Sequence, residues 1–412
     1  MNAEPSGEYY DYTRTMKPER PWLLPYHQSL VYLIMNCTRD GDGNVEEVFL
    51  TFEQTLDVIR RVHNLTCGIP QVAYVIGWHH EGHDSKYPHW GEVNRHLKRD
   101  RDDTALESLR WLIREARAYD CTVSLHLNMF DAYEDSPLWD LYVERDIIAK
   151  DADGEVIPGK AWGGMTSYQV SYTQEWKSGL AQKRIDDLME MVPELKEGKT
   201  IHIDAFLGAR PLAREEPISP YLGYTKEAEV ATQRKIYRYW RDRGIDVTSE
   251  WVNGFRGDRF VGLQPWTWHG GDGVADLPDE LYCTNVMDRA RHLGGEHGSE
   301  LPPEYLEEFC LKVLPWHYGN NPDGDGDLAK MVDGADVCVP ALWCDERTII
   351  AYSRDGYDER SWQLPPDWQD VAKVALSRIT LQGAQLMGEI PVADGKIALR
   401  MRKDEALKIT AC

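Results

Sequence analysis

The sequence predicts an α/β fold: a (β/α)8 barrel followed by a small C-terminal antiparallel β module. Three observations carry this. Short apolar runs rich in β-branched residues alternate with longer amphipathic stretches from residue 29 to residue 252, a pattern that calls for parallel strands covered by helices. A chain of 412 residues with 42% hydrophobic content is long enough for one large barrel and an appendage. From about residue 373 the periodicity switches to alternation of apolar and polar residues with a turn signal at ADG, as expected of antiparallel strands.

The elements follow in order. SLVYLIM (29–35) reads as the first strand and EQTLDVIRRVHN (53–64) as an amphipathic helix. QVAYVIGW (71–78) is the second strand. TALESLRWLIREARAY (104–119) is a helix with Leu106, Leu109, Leu112 and Ile113 at helical spacing. TVSLHLNMF (122–130) is the third strand, and TQEWKSGLAQKRIDDLMEMV (173–192) a helix capped by Thr173. TIHIDAF (200–206) is the fourth strand. TKEAEVATQRKIYRYWRDRG (225–244) is a helix closed by Gly244, and IDVTSEWV (245–252) is the fifth strand. Strands near 260–264, 310–315 and 335–343 would complete the eight. The resulting division is an N-terminal extension (1–24), the barrel (25–365) and a β module (366–412) of three or four strands.

Charge and composition narrow the function. With 46 basic and 69 acidic residues the net charge is −23, which disfavours nucleic acids and anionic membrane surfaces as partners. No run of about 18 apolar residues suggests a membrane span, and the N-terminus has no apolar signal-like stretch. The 8 cysteines are scattered without a CxxC pair, which reads as reduced thiols in a cytoplasmic protein. Aromatic usage is skewed, with 15 Trp and 21 Tyr against 7 Phe. Trp and Tyr combine a flat apolar face with a polar tip, which suits sugar rings.

In a barrel of this kind chemistry collects at the C-terminal ends of the strands. Asn36 follows the first strand. Trp78, His79, His80, His83 and Asp84 follow the second. His126, Asn128 and Asp131 end the third, Asp204 the fourth and Glu250 the fifth; Gln264, Trp266, Trp268 and Trp343 follow the later ones. Asp204 interrupts an apolar strand, where a carboxylate is expensive to bury. At corresponding strand ends Asp204 and Glu250 can share one pocket, as the two carboxyl groups of a glycosidase must. Asp204, more deeply set, suits the nucleophile. Glu250 suits the acid/base, because its apolar neighbour Trp251 raises a carboxyl pKa. A helix cap or a buried ion pair is the alternative use of Asp204. In GWHHEGHDSKYPHW (77–90) the histidine spacing is not that of a helical metal motif, so His83 and Asp84 are read as sugar-hydroxyl ligands, with no metal and no cofactor expected. RDGDGN (39–44) and NPDGDGDL (321–328) lack the glycine and the final acid of a calcium loop and read as Asp–Gly turns.

GWHHEGHDSKYP, VSLHLNMFDAYEDSP, TIHIDAF and DVTSEW, in this order, resemble the catalytic barrel of glycoside hydrolase family 129 and its relative family 101 over about residues 25–350. The resemblance implies a retaining α-N-acetylgalactosaminidase, exo-acting in the first family and endo-acting in the second. It implies Asp204 as nucleophile, Glu250 as acid/base, Gly82-His83-Asp84 as a substrate-gripping loop, and His126 and Asn128 as a strand-end pair. The HH pair of this chain stands where the family loop normally has glutamine or an acid, and the chain reads as more compact than family members, which usually carry large flanking β-domains. A small α-galactoside or α-N-acetylgalactosaminide is therefore the expected substrate, with Trp78, Trp266 and Trp343 supplying apolar walls. The alternatives are a metal-dependent barrel hydrolase or isomerase using His79, His80, His83, His126 and Asp204, and a non-catalytic carbohydrate-binding barrel. Oligomeric state is not legible.

Overall fold

The computed structural model describes residues 23–204, 206, 217–249, 292–319, 321, 323–324 and 326–412. Strands β1 (Leu30–Met35), β2 (Gln71–Ile76), β3 (Cys121–Asn128), β4 (Thr200–Asp204), β5 (Asp246–Ser249) and β6 (His292–Gly294) form one parallel sheet in the order β5-β4-β3-β2-β1-β6. Consecutive strands lie side by side, and β6 closes onto the free edge of β1, a barrel-like course.

The helices between them include α1 (Phe52–Leu65), α2 (Ala105–Glu115), α3 (Tyr172–Lys177), α4 (Leu180–Met191) and α5 (Lys226–Arg241). Thr51 and Gln54 form a reciprocal cap on α1, and Thr104 and Glu107 do the same on α2, satisfying backbone N–H groups that have no partner within the helix. The stretch expected as one helix over 173–192 is two. Gly179, at φ +78°, takes a left-handed conformation that glycine adopts without strain, and the chain turns there. Ser171, not Thr173, caps the first piece.

Alternation along each strand sorts the two faces. Leu30, Tyr32, Ile34, Val123, Leu125, Ile201 and Ile203 face outward and pack with Ile185, Leu188, Ile236 and Trp240 of the helices. Val31, Leu33, Val72, Tyr74 and Ile76 form a separate inner cluster. Further along the sheet the inner face turns polar: the Tyr26 hydroxyl donates to Thr200 Oγ1 at 2.7 Å, and Tyr74 Oη lies 2.6 Å from the same atom.

Two expected barrel strands are corrected. Residues 310–315 lie in a helical stretch, Tyr305–Glu308, Phe309–Val313 and Leu314–Gly319 in succession. Phe309, Cys310, Val313 and Leu314 are buried at helical spacing, and a short apolar run cannot be told from a strand by periodicity alone. Residues 335–343 contain β7 (Asp336–Pro340), which pairs antiparallel with β8 (Thr348–Ser353). The connection 341–347 is too short for a parallel crossover, which needs a dozen or more residues. The expected strand at 260–264 lies outside the described residues.

Of the three or four strands expected at the C-terminus there are four: β10 (Lys373–Arg378), β11 (Gln385–Pro391), β12 (Lys396–Met401) and β13 (Glu405–Ala411), with β9 (Tyr357–Gln363) before them. One antiparallel sheet runs Val332–Asp333, β7, β8, β13, β10, β11, so this architecture begins ahead of residue 366. β9 pairs with β12 in a second ribbon. Trp362, Trp368, Val374, Ile397, Leu399, Leu407 and Ile409 fill a core of their own.

Candidate active site

Asp204 is the last residue of β4, and the alternation explains its presence in an apolar run. Ile201 and Ile203 are fully buried against the helices, whereas Thr200, His202 and Asp204 share the inner face and Asp204 is only half-buried. It pairs in register with Asn128 at the end of β3. The loop after β2 brings His83 and Asp84 to the same point. One ligand atom from each of His83, Asp84 and Asp204 can be chosen so that all lie within 4.8 Å of one another.

Backbone contacts fix that loop. The His83 N–H donates to the Cys37 carbonyl at 2.9 Å, and Thr38 and His83 form a parallel bridge. Asp84 sits at φ +57°. The buried Arg39, not singled out in the sequence, gathers four carbonyls: Nε donates to Asp84 O at 2.6 Å, Nη1 to Asp40 O at 3.1 Å and Gly163 O at 3.3 Å, and Nη2 to Trp162 O at 3.2 Å. It thus joins the His83–Asp84 loop to the hairpin of Pro158–Trp162 and Met165–Gln169, whose Trp162 is 46% exposed. The turn at RDGDGN is an Asx turn: Asp40 Oδ1 accepts from the N–H groups of Asp42 and Asn44, each at 2.9 Å.

Beneath the three ligand atoms lies a column of rings. His83 meets His126 edge-on at 5.4 Å, His126 meets His202 at 5.2 Å, and His202 meets Tyr74 at 5.3 Å. His202 Nδ1 lies 2.9 Å from Thr248 Oγ1. Burial pushes the imidazoles of His79 and His126 well below their ordinary value, and that of His202 down to about 3. Burial and the neighbouring His89 take His80 down to about 4. These four rings are therefore neutral at pH 7. Tyr87, stacked on His79 at 4.8 Å, is pushed upward by burial and then by Asp84, Asp204 and Asp131, so it stays a protonated donor among carboxylates.

The other sequence-predicted residues divide. Trp78 is fully buried, its indole N–H donating to the His126 carbonyl at 2.9 Å; it is a core residue with no face open to a ligand. Trp343 is not at this end of the sheet. Its N–H donates to the carbonyls of Thr66 and Cys67, which precede β2, at 3.1 and 3.2 Å. Asn128 is buried and its amide is occupied by its own turn: Oδ1 accepts from the N–H groups of Phe130 and Asp131, and Nδ2 donates to Asp131 Oδ2 at 2.8 Å. His79 and His80 are not among the three grouped ligands, and His80 Nε2 lies 2.9 Å from His89 Nδ1. Glu250 and Trp266 lie outside the described residues.

Comparison with known proteins bears on the family of the chain. The sequence profile of glycoside hydrolase family 101, described as endo-alpha-N-acetylgalactosaminidase, matches residues 47–270, more than half of the chain. The chain belongs to this family. A protein of Renibacterium salmoninarum named as a candidate endo-alpha-N-acetylgalactosaminidase is 22% identical over 401 residues, covering 87% of this chain and 25% of its own length. The chain thus spans about a quarter of that relative. Among solved structures, ligand-free alpha-N-acetylgalactosaminidase NagBb from Bifidobacterium bifidum matches with a TM-score of 0.46 at 16% identity, over 58% of this chain and 38% of that one. A variant of the GH36 alpha-galactosidase AgaA from Geobacillus stearothermophilus, in complex with 1-deoxygalactonojirimycin, matches with a TM-score of 0.44 at 12% identity, over 94% and 56%. Among the described residues no helix is long and apolar enough to cross a membrane, and the seven cysteines are unpaired.

Proposed function

We propose that this chain hydrolyses α-linked N-acetylgalactosaminides with retention of configuration, by double displacement. The Asp204 carboxylate attacks the anomeric carbon while Glu250 protonates the departing glycosidic oxygen. Glu250 then takes a proton from water, whose oxygen displaces Asp204 and releases the sugar. His83 and Asp84 hold ring hydroxyls, with His126 supporting His83 from below. The observation that carries the reading is the half-buried Asp204 on the inner face at the C-terminal end of β4, within reach of His83 and Asp84. Membership of family 101 supports the choice of sugar. In this reading the six parallel strands belong to a closed barrel, the C-terminal sheets form a separate module, residues 1–24 are an extension, and the unpaired thiols support a cytoplasmic setting.

We take the action to be exo, on a small glycoside, whereas the family description is endo. A panel of aryl α- and β-glycosides, run on the wild type and on Asp204→Asn together, tests this. Release from the α-N-acetylgalactosaminide by the wild type alone supports class, sugar and nucleophile. Turnover restricted to substrates carrying an extended glycan would replace exo by endo. Ordinary turnover by Asp204→Asn would defeat the assignment.

A second reading has its own observation. The same three side chains could hold a catalytic metal ion, which would make the protein a metal-dependent hydrolase or isomerase. Activity that survives prolonged chelation separates the two.

A further inference from the structure

We propose that the site also takes a divalent transition-metal ion of the zinc class, on His83, Asp84 and Asp204, and that this ion blocks the reaction rather than supporting it. The blocking claim rests on the reading of Asp204 as the nucleophile.

His83 Nε2 and Asp84 Oδ2 lie 3.7 Å apart, too far for a hydrogen bond between them. Two ligands bound tetrahedrally at about 2.0–2.1 Å to one zinc ion would be separated by about 3.4 Å. This pair is therefore within a few tenths of an ångström of bridging an ion, and Asp204 completes a group whose ligand atoms all lie within 4.8 Å. Backbone contacts hold two of the three ligands: the His83 N–H on the Cys37 carbonyl, and Arg39 on the Asp84 carbonyl. The His83 and Asp84 side chains keep 28% and 17% of their surface exposed, so an ion has a way in.

The donor set selects the class of ion. One imidazole and two carboxylates, with a position left for water, match a zinc-type open site. Calcium takes 6–8 oxygen ligands, and magnesium keeps most of its water, so neither gains much here. The net charge of −23 draws cations toward the protein. An ion so held would take the electron pair that Asp204 needs for attack. It would also occupy His83 and Asp84, the groups read as hydroxyl ligands, so inhibition should compete with substrate.

The test uses the full chain, stripped with chelator and dialysed. Zinc binding is read directly, by competition with a chromophoric chelator, and separately as inhibition on an aryl α-N-acetylgalactosaminide. The expected result is one equivalent bound, a rise in apparent KM with kcat unchanged, and recovery on adding chelator. His83→Ala and Asp204→Asn, checked for folding by circular dichroism, should each weaken zinc binding by at least about tenfold in the direct assay, which needs no turnover. Undiminished binding in both variants, or no stoichiometric binding by the wild type, overturns the site. Zinc that activates the stripped protein overturns the blocking claim and favours the metal-dependent reading. Binding lost in the variants of a protein inactive on every glycoside upholds the ion site and counts against the glycosidase reading alone.

Discussion

Arg39→Met removes a side chain that ties three segments around the site. Arg39 is buried, and its guanidinium serves the carbonyls of Asp84, Asp40, Gly163 and Trp162 while lying 4.7 Å from the centre of the Tyr133 ring. Hydrogen bonds from a charged donor contribute about 1.5–3 kcal/mol each, but three of these four are long and some of the carbonyls regain water when the donor is lost. The short bond to Asp84 O, a share of the other three and the ring contact together suggest a loss of about 3 kcal/mol. That is a large fraction of the 5–15 kcal/mol that roughly bounds the stability of a domain. Methionine keeps much of the stem's packing and removes the fork, so the loss belongs to the donors. Urea denaturation at pH 7 should show a lower midpoint with the slope preserved. Because the loop that Arg39 anchors carries His83 and Asp84, KM for the α-N-acetylgalactosaminide should rise more than kcat falls. A variant with wild-type midpoint and wild-type KM would refute this account of the loop.

Other consequences concern backbone, turn and titration. Gly77→Ala should fail to give soluble folded protein or lower the melting temperature sharply: Gly77 is at φ +73°, and a Cβ there would lie 2.1 Å from the Cys37 carbonyl oxygen. Asn128→Ala, which strips three hydrogen bonds from the 128–131 turn, should cost about 2–4 kcal/mol in urea denaturation; a loss of substrate affinity at unchanged stability would instead mark Asn128 as a ligand. The buried His202 is depressed to about 3 in the folded protein, so its contribution to stability is complete above its unfolded value near 6.5 and is lost as pH falls from there toward 3. At pH 5 that loss is about 2 kcal/mol, and His80, depressed to about 4, acts in the same direction. The urea midpoint should therefore fall between pH 7 and pH 5, and His202→Gln should flatten the fall; an equal slope in the variant would contradict it.

Much of the parallel sheet was legible because each strand carries its own signal. TIHID alternates inward Thr, His and Asp with outward Ile, and the helices between the strands carry apolar residues at helical spacing. The later strands were not legible for two physical reasons. FCLKVL is short and apolar, and its helical burial shows only once the helix has neighbours. DVCVP reads equally well in a parallel or an antiparallel sheet until the short link to the next strand is weighed. In the site, the strand-end rule found Asp204, His83, Asp84 and His126. It also promoted Trp78 and Trp343, because adjacency to a strand end does not say which way a ring turns. Arg39 went unnoticed because its partners are carbonyls of residues 84, 162 and 163, contacts that leave no mark on side-chain type. A tryptophan followed by paired glycines, AWGGM, was the available sign of Trp162.

The central claim is that Asp204 forms a covalent bond to the sugar. The most direct measurement is to incubate the wild type and Glu250→Gln with an activated 2-fluoro α-glycoside of the galactose configuration, digest, and locate any adduct by mass spectrometry. The account predicts one glycosyl adduct per chain, on the peptide carrying Asp204 and on that side chain, absent in Asp204→Asn. An adduct on another carboxylate, or turnover with no adduct and full activity in Asp204→Asn, would contradict it.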